Sequence, residues 1–173
     1  MEVLFIIAEK NFRDEELLNP KEVIEKAGIK AEIASKTAGI KTGVLGAKAS
    51  AISFKDIFIE KYRAVIFVGG QGAAQYFNDS EALEIAKKAS EADRIIAAIC
   101  IAPVILANAG VLEGRKATVW SSASDKSYIH AIEEKGAVFS NEAVVQDGNV
   151  ITANGPAAAR VFGEKIVKAI SHN

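Results

Sequence analysis

The chain carries a single cysteine, Cys100, and its neighbours suggest a chemistry for it. It stands in Ala98-Ile99-Cys100-Ile101-Ala102-Pro103, where an apolar strand-like run meets the start of a helix. A nucleophile elbow places its reactive residue on such a turn. The turn brings together the residues two before and two after, so both must be small. Ala98 and Ala102 meet that demand. Pro103 suits a first helical turn, where a missing N–H costs little. A thiol at this point lies near a helix N-terminus, whose dipole and free N–H groups favour the thiolate. The same donors can hold an oxyanion or an oxidised sulfur. The competing reading is an inert buried thiol, a common fate of free cysteine. The strand-to-helix junction favours the reactive one.

Other segments could supply partners. Gly69-Gly70-Gln71-Gly72-Ala73-Ala74 follows a strand-like run, and glycine lets backbone amides approach a reacting atom closely. A simple tight turn explains the glycines equally well. The run is neither the dinucleotide fingerprint nor a Walker A loop, so NAD and ATP are excluded and no cofactor is expected. Asp14, Glu15 and Glu16 follow the first strand. A carboxyl buried beside Cys100 would share a proton with it, but a solvated acidic first turn of a helix is the more economical reading. Trp120 lines a pocket or fills core, with the pocket favoured. His130, in mid-helix, reads as structural, and His172 as an exposed or disordered tail. One cysteine and two distant histidines make no metal site.

The elements that must position these residues alternate between strand and helix, which predicts an α/β fold with a mainly parallel sheet. Residues 3–8, 63–68 and 94–99 are continuous apolar runs, as expected of strands covered on both faces. They end at Ala8, Val68 and Ile99, immediately before the acidic stretch, the glycine loop and Cys100. In open parallel sheets ligands sit outside the carboxyl ends of the strands. A helix ending at Gly28 starts either at Asn19-Pro20, with Asn19 as N-cap, or near Asp14 with a kink at Pro20. Residues 30–35 predict a strand, and 39–52 a hairpin outside the main wound unit. Ser80 is predicted to cap a helix over 81–92. Helices are expected over 102–109 and 125–135, a short strand over 117–119, and a hairpin over 144–152 turning at Asp147-Gly148-Asn149. Gly155-Pro156 opens a final helix to about residue 170.

With 173 residues, half of them hydrophobic, the chain is expected to form one domain over residues 1–173 with its own core. A net charge of -1 and no block of one sign argue against nucleic acid or a membrane surface as partner. No apolar run nears the roughly 20 residues of a bilayer span. A lone cysteine and the absence of a signal-peptide pattern point to the cytoplasm.

Together these residues resemble the DJ-1/ThiJ/PfpI superfamily, of the class I glutamine amidotransferase-like type. The resemblance rests on the cysteine turn followed by Gly110-Val111-Leu112-Glu113-Gly114-Arg115-Lys116, and on Val68-Gly69-Gly70. It rests also on the acidic stretch ending at Glu16, and on Asp147-Gly148-Asn149-Val150-Ile151-Thr152 with Gly155-Pro156. It spans nearly the whole chain, in order. The resemblance implies a flavodoxin-like three-layer sandwich, a homo-oligomer (dimer or larger), a hydrogen bond from Glu16 to Cys100, and an anion pocket from amides near Gly70 and Ile101. The sequence departs from the protease-type members, which carry histidine directly after the cysteine. Ile101 stands there, and Ala73-Ala74 supplies no glutamate. Trp120 replaces a histidine of the DJ-1-like members. What the resemblance then implies is glyoxalase- or deglycase-like chemistry on a small reactive carbonyl. The alternatives are a cysteine-based oxidative-stress sensor or protective protein without turnover and, last, a cysteine protease or other hydrolase.

Overall fold

The computed structural model describes residues 2–172. In chain order the elements are β1 (Glu2–Ile6), β2 (Lys10–Phe12), α1 (Asp14–Lys26), β3 (Lys30–Ser35), β4 (Gly39–Gly43), β5 (Lys48–Ser53), β6 (Tyr62–Phe67), α2 (Ser80–Glu91) and β7 (Ile95–Ile99). They continue with α3 (Pro103–Asn108), β8 (Lys116–Ala117), α4 (Ser127–Glu133), β9 (Val138–Phe139), β10 (Val144–Asp147), β11 (Val150–Ala153) and α5 (Ala159–His172).

Nine strands form one sheet in the order β10-β11-β7-β6-β1-β3-β5-β4-β2. The five strands from β11 to β3 are mutually parallel, so β1, β6 and β7 are adjacent and end on the same edge. Side chains alternate across this sheet, as a period of two demands. Leu4, Ile6, Val65, Phe67, Ile96 and Ala98 face one layer, with α2, α3 and α4. Val3, Phe5, Ile66, Ala97 and Ile99 face the other, with α1 and α5. The architecture is therefore the expected flavodoxin-like α/β sandwich.

Several details depart from the sequence reading. Helix α1 starts at Asp14 and runs through Pro20, so Asn19 is not its N-cap. Pro20 is buried in the helix and lies against α5, where a Cβ on Gly163 would come within 2.8 Å of the Pro20 Cα. The hairpin of β4 and β5 is not outside the wound unit: β5 pairs parallel with β3, and the hairpin extends the main sheet. Helix α2 begins one residue early, because Asp79 rather than Ser80 caps it, accepting from the N–H of Glu81 and Ala82. The short strand is Lys116–Ala117 and pairs with β9 outside the main sheet. His172 is exposed, as expected, but ends α5 instead of a loose tail, its Nδ1 2.7 Å from the Lys168 carbonyl oxygen.

Candidate active site

Cys100 has φ +63°, a conformation uncommon for a residue with a side chain and characteristic of strain held at functional turns. Two backbone bonds hold it there. Its N–H donates to Ala153 O at 2.9 Å, and its carbonyl accepts from Trp120 N at 2.8 Å. Elbow and sheet are thus one piece. Cys100 is 9% exposed and lines a cleft of about 380 Å³ over the carboxyl ends of β1, β6 and β7.

Glu16 reaches the same place from the first turn of α1 and is fully buried. The solvated-turn reading is overturned. Among the described residues neither carboxyl oxygen has a well-formed hydrogen bond, and the Cys100 thiol and the Gly69 N–H lie close enough to act on it. Burial, the largest cause, pushes Glu16 up to about 7, against the pull of Cys100, the Arg13 charge and Gly69. Burial likewise pushes the Cys100 thiol up to about 12, and the Glu16 charge adds to it, while the N–H groups of Gly70 and Ile101 pull the other way. The expectation of a thiolate favoured by the helix end is therefore reversed by desolvation. Below about pH 7 both buried groups are protonated, and above it a single proton remains between them.

The glycine pair permits this approach. A Cβ on Gly69 would lie 2.5 Å from Glu16 Oε2 and 2.6 Å from the Cys100 Cβ. Gly70 has φ +94°, and a Cβ there would fall 2.4 Å from the Arg13 nitrogen. The loops after β1 and β6 are bound together by Arg13 N–H donating to Gly69 O at 3.0 Å.

Glu16, Gly70, Cys100, Ile101 and Trp120 line the one cleft, and Gly69 packs behind them against Glu16 and Cys100. Trp120 meets Tyr128 edge to face, with centroids 5.9 Å apart. Tyr128, Val44 and Pro156 add apolar wall, and Arg13 a cation, none of which the sequence reading had singled out for the site. Arg13 pairs with Glu15 through two bonds, Nε to Oε2 at 2.8 Å and Nη2 to Oε1 at 3.0 Å. Among the described residues no histidine lines the cleft, and His130 is exposed on α4. No three His, Cys, Asp or Glu side chains among them are grouped as metal ligands, and no helix is long and apolar enough to cross a membrane.

Comparison with known proteins agrees with this architecture. Residues 1–169 match the model of the DJ-1/PfpI family. An uncharacterized protein of Methanocaldococcus jannaschii is 40% identical over 173 residues, covering 99% of this chain and 83% of the relative. A protein of Pyrococcus horikoshii named a deglycase is 32% identical over 171 residues, covering 98% of this chain and 99% of the relative. The crystal structure of a ThiJ/PfpI domain protein from Brachyspira murdochii superposes with a TM-score of 0.94 at 29% identity, covering 99% of this chain and 97% of that one. Family model, relatives and fold agree, and the chain belongs to the DJ-1/PfpI family.

Proposed function

We propose that the cleft converts small reactive dicarbonyls, or their adducts, with Cys100 as nucleophile and Glu16 as the proton carrier. One observation carries the reading: a fully buried carboxyl with no well-formed hydrogen bond among the described residues is pushed to about 7 beside the strained cysteine. A base of that strength works best near neutral pH. The Glu16 carboxylate takes the thiol proton as Sγ bonds to the aldehyde carbon. The carbonyl electron pair moves to oxygen, where the Gly70 and Ile101 N–H groups stabilise it until Glu16 returns the proton. The hemithioacetal then gives its C–H proton to Glu16 as the electron pair shifts to the neighbouring carbonyl. Glu16 delivers that proton to the neighbouring carbon, and the hemithioacetal O–H proton passes to the neighbouring oxygen, leaving a thioester beside a hydroxyl. The aldehyde carbon is thereby oxidised and its neighbour reduced, with no external redox partner. Water then releases a 2-hydroxy acid from the thioester. The deglycase name of the Pyrococcus relative fits this class of substrate. A hydrolase built on a Cys-His pair is disfavoured, because Ile101 follows the cysteine and no histidine faces it among the described residues.

The test is turnover of methylglyoxal to lactate by the wild type and by Cys100→Ala. Loss of turnover in the variant supports the reading. Activity that survives it removes Cys100 as nucleophile. A wild type that turns nothing over while mass spectrometry shows a two-oxygen addition at Cys100 after mild peroxide would favour the sensor instead.

A further inference from the structure

Arg13 is the only cation lining the cleft among the described residues, and the mechanism above leaves it without work. Its guanidinium has five N–H donors. Glu15 engages Nε and one N–H of Nη2, and among the described residues no other hydrogen-bond partner takes the rest. The side chain is 36% exposed and lines the cleft. Its backbone is fixed by the bond to Gly69 O, and it immediately precedes α1, which carries Glu16. The other acid on the rim, Asp125, is engaged by the backbone N–H and hydroxyl of Ser127. The walls formed by Trp120, Tyr128 and Val44 offer no second charge. A small molecule with its carbonyl at Sγ thus has one place to put an anionic group.

We propose that Arg13 makes the cleft select carbonyl compounds carrying a carboxylate, in particular 2-oxoaldehydes with an anionic tail. The inference rests on Cys100 as the reacting atom and names the substrate class of that same site. The free Nη1 edge donates to the tail carboxylate while Glu15 holds the guanidinium plane from the other side. The bound carboxylate neither forms nor breaks a bond. The chemistry at the aldehyde end is that described above, so 4,5-dioxopentanoate plus one water gives 2-hydroxyglutarate.

Two measurements test it. The first needs no turnover: the rates at which iodoacetate (anionic) and iodoacetamide (neutral) alkylate Cys100, read by mass spectrometry as a ratio. In Arg13→Gln that ratio is expected to fall about tenfold, the range of one charge-assisted bond. Arg13→Lys should restore part of it, and Glu15→Gln should raise it by freeing the guanidinium. The second is kcat/KM for 4,5-dioxopentanoate relative to methylglyoxal, expected to fall by a similar factor in Arg13→Gln, mainly through KM. A ratio unchanged within twofold in both Arg13→Gln and Glu15→Gln overturns the inference, even if Cys100→Ala abolishes methylglyoxal turnover. A protein that turns over neither carbonyl, yet whose alkylation ratio follows Arg13, keeps the anion selectivity and overturns the carbonyl chemistry alone. Failure of both reagents to alkylate Cys100 in the folded protein overturns both.

Discussion

At the scale of single residues, the site is a contest between burial and charge. Cys100 and Glu16 are each more comfortable neutral, and both cannot be ionised at once without two anions in contact. The pair therefore gives up its first proton near pH 7. Methylglyoxal kcat/KM is expected to rise with pH through about 7 and level above it, since the carboxylate must be free to accept the thiol proton. A flat profile from pH 5 to 9 would contradict the role of Glu16. Glu16→Gln is expected to lower turnover by about a hundredfold or more, the usual worth of a positioned base, while iodoacetamide still reaches the sulfur. Which residues belonged to this pair was only partly legible in the chain. The small flanks Ala98 and Ala102 marked the cysteine, but nothing local distinguishes Glu16 from Glu15. Their side chains part company only in the fold, where Glu16 turns inward to Cys100 and Glu15 outward to Arg13. Arg13 escaped notice for the same reason: its place depends on a loop closing onto Gly69, 56 positions away by the numbering.

At the scale of elements, glycines decide how closely the parts approach. Gly69→Ala would force its methyl into both Glu16 and Cys100, so it is expected to cost about 1–3 kcal/mol of stability and to displace the carboxyl from the thiol. Denaturant melts and the pH profile would register the two effects separately, and a variant of unchanged stability and profile would refute the crowding argument. Asp14 acts at a distance of one loop. Its carboxylate accepts from the N–H of Leu45 at 2.8 Å and of Ala47 at 2.7 Å, which anchors the β4–β5 turn and Val44 at the cleft. Asp14→Ala leaves two amides without an acceptor, and a loss of about 1–3 kcal/mol is expected, measured by urea unfolding. The strands that carry the site were readable because β1, β6 and β7 are apolar without interruption. The hairpin was readable as a hairpin but not as part of the sheet, since Gly39, Gly43 and Gly46 signal turns and say nothing of which edge will be joined. The start of α1 stayed ambiguous because Pro20 is a poor interior residue by propensity. Burial of Pro20 against Gly163, a tertiary contact, decides it.

At the scale of the whole molecule, two buried or half-buried acids pull the pH dependence of folding in opposite directions. Glu9 accepts from Ser35, from Thr37 twice and from the buried Lys41. These partners overcome its desolvation and hold it down at about 2. Its contribution is present above the ordinary carboxyl range near 4.5 and is lost as pH falls toward 2. Glu16 behaves in reverse. Between about 4.5 and 7 the folded chain keeps a proton that the unfolded chain has released, so stability drains away as pH rises through that window, by on the order of 3 kcal/mol. Unfolding free energies measured from pH 4.5 to 7.5 should decline more steeply in the wild type than in Glu16→Gln. Parallel curves would mean that the carboxyl titrates as it does in water.

The backbone contact between the loops after β1 and β6 has a consequence for how the protein fails. A Cβ on Gly72 would fall 1.9 Å from the Lys10 carbonyl oxygen and 2.8 Å from the Ala8 Cβ, so two chain segments far apart in sequence run against each other with no room for a side chain at position 72. Such a seam has no slack: it cannot open by a few ångströms and leave the surrounding architecture standing. The catalytic apparatus is then expected to have no separate melting event. Heated or titrated with denaturant, the molecule should lose its turnover of methylglyoxal along the same curve that reports the loss of the sheet, with no folded but inactive form in between.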